Sequence, residues 1–439
     1  YLIIFRLGMI ALNKKIANVR GRMLFDSRGM PTIEAEIELN DGIVASYIAP
    51  SGASVGKYEA FEKRDGKDFF LGKSVLENVK IINNLIKKTI INLNIEDQQK
   101  IDDLLIDIDN TKNKSNLGGN TTIAVSIAAL KAAALSNKKP LWAYLSDSTH
   151  NKLPLPEVQI LAGGLHARGS ISIQDFLIIP NGSNDFLEAL EWVYKVYRKA
   201  SDELIQSGNY FGVGDEGGYW PNFESIEEAL EFLTIVIEKA GFKPLSEISI
   251  SLDIAANSFK KSNKYFLEKN KPALSANLLL ERILKWIKLY PIISIEDPFA
   301  EEDIYYFSQL MLKKPNYCQI VGDDLVVTNE KLIKDAYEKK AINAALIKPN
   351  QVGTVSETLK AISITKSLGI ANIISARSGD TEDSTISDLA VGWDIKQLKV
   401  GSFSRSERMA KWNQCLRIGE KLSKKNEMNN NGQLNWDKL

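Results

Sequence analysis

Three segments in the second half of this chain end in a carboxylate and a fourth ends in a lysine. They read Ile248-Ser249-Ile250-Ser251-Leu252-Asp253, Ile292-Ile293-Ser294-Ile295-Glu296, Gln319-Ile320-Val321-Gly322-Asp323 and Ala344-Ala345-Leu346-Ile347-Lys348. Each is short and apolar, the pattern of a buried strand, and the stretches between them carry apolar residues at helical spacing. Strand–helix alternation of this kind predicts a parallel α/β barrel, in which chemistry sits at the C-terminal ends of the strands. Three acids converging there call for a divalent cation, and a lysine beside them is a poised base.

The preceding residues follow a different plan. Residues 14–48 read as a strand, a turn and a hairpin, with period-two alternation from Pro31 to Leu39 and a turn at Asn40-Asp41-Gly42. Helical patterns follow over 73–88, 96–108 and 121–136, the last Ala-rich and apolar around much of its circumference. The expected organisation is an α+β N-terminal domain over residues 1–148, a barrel domain over 149–422 and a polar tail over 423–439. Leu153-Pro154-Leu155-Pro156 reads as a stiff extended join. Strand 175–179 and helices 185–206 and 405–422 complete the alternation. Met9 is a candidate start, which would put residues 1–8 outside the fold.

Lys+Arg and Asp+Glu are both 55, with no run of one sign, so no nucleic-acid or membrane partner is expected. Two cysteines without metal spacing fit a reduced, cytoplasmic protein. With only two histidines, His150 and His166, a metal must be held mainly by oxygen, which favours Mg²⁺, Mn²⁺ or Ca²⁺ over Zn²⁺.

Asp253, Glu296 and Asp323 are the metal candidates. A single Asp at a strand–helix junction is commonly a helix cap. Three in one barrel, two of them doubled by Asp297 and Asp324, favour a cation. Lys348 closes a buried strand, and beside a cation its pKa should fall, making it a general base for a weakly acidic C–H. Lys399 ends a later strand as a second cation at the same mouth. Glu216, flanked by glycines in Gly214-Asp215-Glu216-Gly217-Gly218, is a candidate acid, and His166 sits on another glycine-rich loop. Arg377-Ser378-Gly379, after a late strand, fits a phosphate or carboxylate clamp. Ser51-Gly52-Ala53-Ser54-Val55-Gly56 has the small residues of a lid. Together these suit proton abstraction beside a carboxylate on a small phosphorylated carboxylic acid.

With these residues in view, the chain resembles the enolases, the phosphopyruvate hydratases, from about Ile16 to Leu422. The likeness is carried by Asp26-Ser27-Arg28-Gly29, Ser51-Gly52-Ala53-Ser54, Asn113-Lys114-Ser115-Asn116-Leu117-Gly118, Gly214-Asp215-Glu216-Gly217-Gly218, Ser294-Ile295-Glu296-Asp297-Pro298-Phe299, Gly322-Asp323-Asp324-Leu325, Arg377-Ser378-Gly379 and Arg405-Ser406-Glu407-Arg408. The resemblance implies an α+β cap followed by an enolase-type (β/α)8 barrel with irregular first units, a homodimer or larger homo-oligomer, and two Mg²⁺ ions per subunit. It implies reversible dehydration of 2-phosphoglycerate to phosphoenolpyruvate in glycolysis and gluconeogenesis, a lyase reaction. By position, Asp253, Glu296 and Asp323 match the ligands of the tighter metal, and Ser54 the lid residue that closes on the second. Lys348 matches the base and Glu216 the acid. Gln174, Arg377, Ser378 and Lys399 match substrate-binding residues, and His166 the loop histidine.

The chain departs from the family around the substrate. Ala376 stands where histidine is usual, Asp175 where glutamate is usual, and Val55, Ala162 and Leu165 alter the two loops. Asn257-Ser258-Phe259 departs after Asp253. Two other readings therefore stand beside enolase: a paralogue acting on a related phosphorylated or phosphonylated acid, and a non-catalytic binding protein on the same scaffold. The retained metal ligands, base and acid speak against the latter.

Overall fold

The computed structural model describes residues 14–53, 56–66, 68–146, 151–167, 171–269 and 271–429. Strands β1 (Ile16–Phe25), β2 (Pro31–Leu39) and β3 (Val44–Ile48) form an antiparallel meander. Alternate residues of β2, Ile33, Ala35, Ile37 and Leu39, are buried, as the period-two pattern predicts. They face helix Gly119–Ser136, whose small side chains let it pack against strands on one side and the barrel on another. Ser126 on this helix donates to Asp102 and accepts from the Val355 amide of the barrel domain. Helix Gln98–Asp109 is capped by the Asp97 carboxylate and ended by Asn110 in the left-handed conformation.

The second half holds β4 (Leu155–Ala162), β5 (Asp175–Ile179), a flanking hairpin of β6 (Tyr210–Val213) and β7 (Tyr219–Pro221), β8 (Ser249–Asp253), a small hairpin of β9 (Lys260–Lys261) and β10 (Lys264–Tyr265), β11 (Ile292–Glu296), β12 (Gln319–Gly322), β13 (Ala344–Ile347), β14 (Ala371–Ser375) and β15 (Gln397–Ser402). Eight of them close into a barrel in the order β4, β5, β8, β11, β12, β13, β14, β15, with β15 returning to β4. No helix among the described residues is long and apolar enough to cross a membrane.

Two expectations need correcting. The segment 153–156 is no mere join: Leu155 and Pro156 open the first barrel strand, with Leu155 and Pro156 opposite Gln397 and Leu398. The prolines concealed a strand, because proline tolerates the first residues of one. The barrel is also not wholly parallel: β5 runs antiparallel to both β4 and β8. A reversed strand presents its first residue, not its last, at the catalytic mouth, so Asp175 lies opposite Asp253 and Ala162.

Beneath the mouth the barrel interior is polar. Gln319 donates to Ser294 and to Gln397, and Ser251 donates to the buried Glu157. Of the expected tail, residues 423–429 are described. Asn429 bonds Leu153 and Met428 is buried, so this stretch packs beside the start of β4. Residues 430–439 lie outside the described residues, as do 1–13.

Candidate active site

The register of the strands brings the acids together. Glu296 and Asp253 are paired last residues of adjacent strands, and Asp323 follows the next strand by one residue. The turn after β11 is pinned: Asp297 adopts a positive φ of 41°, and its carboxylate accepts from the amides of Asp323 at 3.0 Å and Asp324 at 2.7 Å. A non-glycine residue in that region costs on the order of 1–3 kcal/mol, and here the two amide bonds hold it.

Two buried lysines lie on these acids. Lys399 donates to Asp253 at 2.8 Å and to Glu296 at 2.7 Å, and stands 3.9 Å from Asp175. Lys348 donates to Asp323, whose other oxygen accepts from Gln351 at 2.8 Å. Gln174 donates to Asp253 at 3.1 Å. Burial, with neighbouring Asp253, holds the Glu296 carboxyl well above the usual carboxylate range. Asp323 goes the other way: burial would raise it, but Lys348 draws it down. The fall expected for the Lys348 ammonium depends on a neighbouring cation; the chain's own groups act in the other direction. Burial, the largest influence, lowers its pKa, but Asp323 and Glu296 together lift it above the ordinary value.

The acid end is built on loops. Glu216 sits between β6 and β7, and the backbone folds tightly there, since a Cβ on Gly217 would fall 2.5 Å from the Ser404 hydroxyl. His166 Nδ1 lies 2.8 Å from Asp175, and its Nε2 is 3.8 Å from Glu216. Burial lowers the His166 pKa, but Asp175 and Glu216 overcome it and lift it to about 9. Burial raises Glu216, but His166, Arg408 and the two lysines bring it below the usual value. The Asp175 oxygen that His166 meets also accepts from Gln159.

The clamp loop is locked from three directions. Arg377 pairs with Glu59 at 3.1 Å, and Arg28 donates to the Ser378 hydroxyl at 3.1 Å. Arg408, buried in helix Ser406–Gly419, donates to the carbonyls of Arg377 at 2.7 Å and Ser378 at 2.5 Å. Ala376 lines the same cavity as Lys348, Glu216, His166, Gln174, Asp175, Asp253, Arg377, Ser378 and Lys399. Gly52 and Ala53 line that cavity as well, while Ser54 and Val55 lie outside the described residues.

Sequence reasoning did not point to Glu59, Gln159 or Gln351, which orient Arg377, Asp175 and Asp323. They stand in no motif with chemical meaning, and long-range packing alone brings them there. Among the described residues, the carboxylate and imidazole atoms that close in threes to within 4.8 Å of one another form two groups, His166–Asp175–Glu216 and Asp297–Asp323–Asp324. Asp253 and Glu296 are instead bridged by the Lys399 ammonium.

The donor set suits a hard divalent cation. It is all oxygen, and Glu296 Oε1 is a buried carboxylate oxygen with no hydrogen-bond partner. An acidic mouth able to hold a cation, an acid and a lysine in one cavity, and a cationic clamp together define a site for chemistry on a small anion. The chain agrees throughout with one family. Residues 16–145 match the family described as "Enolase, N-terminal domain" and residues 150–435 "Enolase, C-terminal TIM barrel domain". It is 46% identical over 415 residues to the "Enolase" of Pelagibacter ubique, covering 94% of this chain and 99% of that protein. It is 45% identical over 411 residues to the "Enolase" of Ehrlichia chaffeensis, covering 93% and 97%. The "Enolase 1" of Desulfitobacterium hafniense is likewise 45% identical, covering 93% and 94%. With both domains matched and relatives 45–46% identical over nearly the whole chain, the chain belongs to the enolase family.

Proposed function

We propose that this chain is a lyase that catalyses the reversible dehydration of 2-phosphoglycerate to phosphoenolpyruvate in glycolysis and gluconeogenesis, using two Mg²⁺ ions per subunit. The observation that carries the reading is that Lys348 and Glu216 border one cavity together with Arg377, Ser378 and Lys399. Asp253, Glu296 and Asp323 would hold one cation, and Ser54 would approach the second. A bound divalent cation supplies the positive field that stabilises charge building on the substrate carboxylate.

The chain's own residues do the rest. Arg377 and Ser378 bind the phosphate, and Lys399 and Gln174 face the carboxylate. Lys348 Nζ, in its neutral form, accepts the proton from the carbon beside the carboxylate. Glu216 delivers a proton to the leaving hydroxyl. His166, with its pKa near 9, keeps a proton 3.8 Å from that carboxylate, at the end of the cavity where one is needed. Asp175 holds the imidazole in place. The same reading includes a domain division at 148/149, a polar tail from 423, a homodimer or larger assembly and a cytoplasmic setting, supported by the family likeness and the balanced charge.

The test is to follow formation of the enol product by ultraviolet absorbance with 2-phosphoglycerate and Mg²⁺. Activity that vanishes in excess chelator and in Glu296→Gln, with the variant's circular dichroism unchanged, supports the reading. Absence of product with Mg²⁺, or full activity in chelator, overturns it. Ala376 in the cavity wall favours one second reading, a related phosphorylated or phosphonylated acid as substrate. Retained exchange of the proton alpha to the carboxylate on such an acid, without turnover of 2-phosphoglycerate, would select it.

A further inference from the structure

The opposite face of the barrel holds a feature that this chemistry does not use. Helices Ile304–Lys313 and Glu330–Glu338 flank the loops that enter β12 and β13. Between them lies a cavity of about 780 Å³. These are the N-terminal ends of the strands, away from the catalytic mouth. The volume is that of a site for a small organic molecule.

The walls are apolar for most of their extent, from Met311, Leu312, Tyr337 and Ile342. Of the charged residues that line the cavity, Lys314, Glu338, Lys339 and Lys340, only Lys314 is buried. Lys314 is only 8% exposed, and its hydrogen bond among the described residues is a long one, 3.5 Å to the Pro315 carbonyl. No carboxylate among the described residues pairs with it. Its neighbour Lys313 ends the helix in the usual way, so the helix terminus does not require a second, buried ammonium. At the rim, Lys339 is balanced by Asp335 at 2.7 Å and Glu338 lies 3.8 Å from Lys334, which leaves Lys340 as a further positive charge beside the opening. A buried ammonium without a counter-charge is costly to the fold. Consistently, burial holds the Lys314 pKa below its ordinary value.

We propose that this cavity is a second binding site, for a small amphipathic carboxylate. The carboxylate lies on the Lys314 ammonium and supplies the missing counter-charge. The hydrocarbon portion runs along Met311, Leu312, Tyr337 and Ile342. A single buried ammonium matches a singly charged headgroup better than a phosphate dianion, and the concave apolar walls match a chain of several methylenes better than a peptide segment.

The experiment is isothermal titration of the full chain with octanoate, with octanol and acetate as the two halves of the ligand. Octanoate is expected to bind with one site per chain, and both halves roughly ten- to a hundredfold more weakly. Lys314→Met keeps the apolar volume and is expected to weaken octanoate by a similar factor. Leu312→Glu puts a carboxylate at a position 76% exposed, where folding is not at risk, and should weaken it as well. Octanoate binding should be unchanged by saturating 2-phosphoglycerate, which separates this site from the catalytic mouth. The proposal is overturned by absence of octanoate binding, by equal binding of octanol, by undiminished binding in Leu312→Glu, or by competition with 2-phosphoglycerate.

Discussion

Replacing Lys399 with methionine tests how the barrel mouth is neutralised. The ammonium makes two buried, charge-assisted hydrogen bonds, at 2.8 Å to Asp253 and 2.7 Å to Glu296. Each is worth about 1.5–3 kcal/mol. Without them two adjacent carboxylates face each other with no counter-charge between them. The cost is limited by one escape. Burial and Asp253 hold Glu296 well above the usual carboxylate range, which favours proton uptake there as relief of the repulsion. Loss of one partner from a buried ionic cluster then costs about 3–5 kcal/mol, or a Tm drop of roughly 3–6 °C in a chain of this size. That drop is expected in chelator at neutral pH. Mg²⁺ should raise the Tm of the variant by more than it raises the parent's, because in the parent a cation competes with the ammonium for the same oxygens. Thermal melts by circular dichroism, with and without Mg²⁺, measure both effects. A variant as stable as the parent in chelator, or one that gains no more from Mg²⁺, would refute the reasoning.

Lys348→Ala should lose solvent exchange of the proton alpha to the carboxylate. Glu216→Gln should keep that exchange and lose dehydration, both read by NMR in deuterated solvent; failure of both at the same step would reject the assigned roles. Ala376→His combined with Asp175→Glu is expected to raise turnover of 2-phosphoglycerate about tenfold or more, by adding a hydrogen bond near the phosphate, and an unchanged or lower rate would favour a different substrate. Away from the site, Glu227 accepts from Arg282 and Trp286, and although burial raises its pKa, these partners bring it down to about 2. A depressed folded-state pKa contributes stability above the unfolded value, and that contribution disappears as pH falls toward 2. Because the carboxylate is partly exposed, Glu227→Gln should cost only about 1 kcal/mol at pH 7, and nothing at the acid end, as urea titrations at several pH values would report.

Much of this protein is legible in its sequence. The alternation of short apolar runs with amphipathic helices marks a barrel, because a strand covered on both faces must be apolar throughout. The residues that end those runs announce themselves, since Asp253, Glu296 and Lys348 interrupt apolar sequence where solvent or a ligand must begin. Local pattern also delivered the N-terminal meander and its Ala-rich helix. What the sequence could not carry was direction and distance. Alternation has the same period whichever way a strand runs, so nothing local says that β5 is reversed, and that reversal is what lifts Asp175 to the level of Asp253. The prolines at 154 and 156 look like a linker until a neighbouring strand pairs with them. Glu59 and Gln351 meet Arg377 and Asp323 across hundreds of residues or between strands, through packing that no short motif encodes. The charge state of Lys348 likewise depends on Asp323, 25 residues away in sequence and in direct contact in space. Which side chains stand at the mouth is written in local hydrophobic pattern; how far apart they stand, and which of them holds a proton, follows from Coulomb interactions and burial that exist only once the barrel has closed.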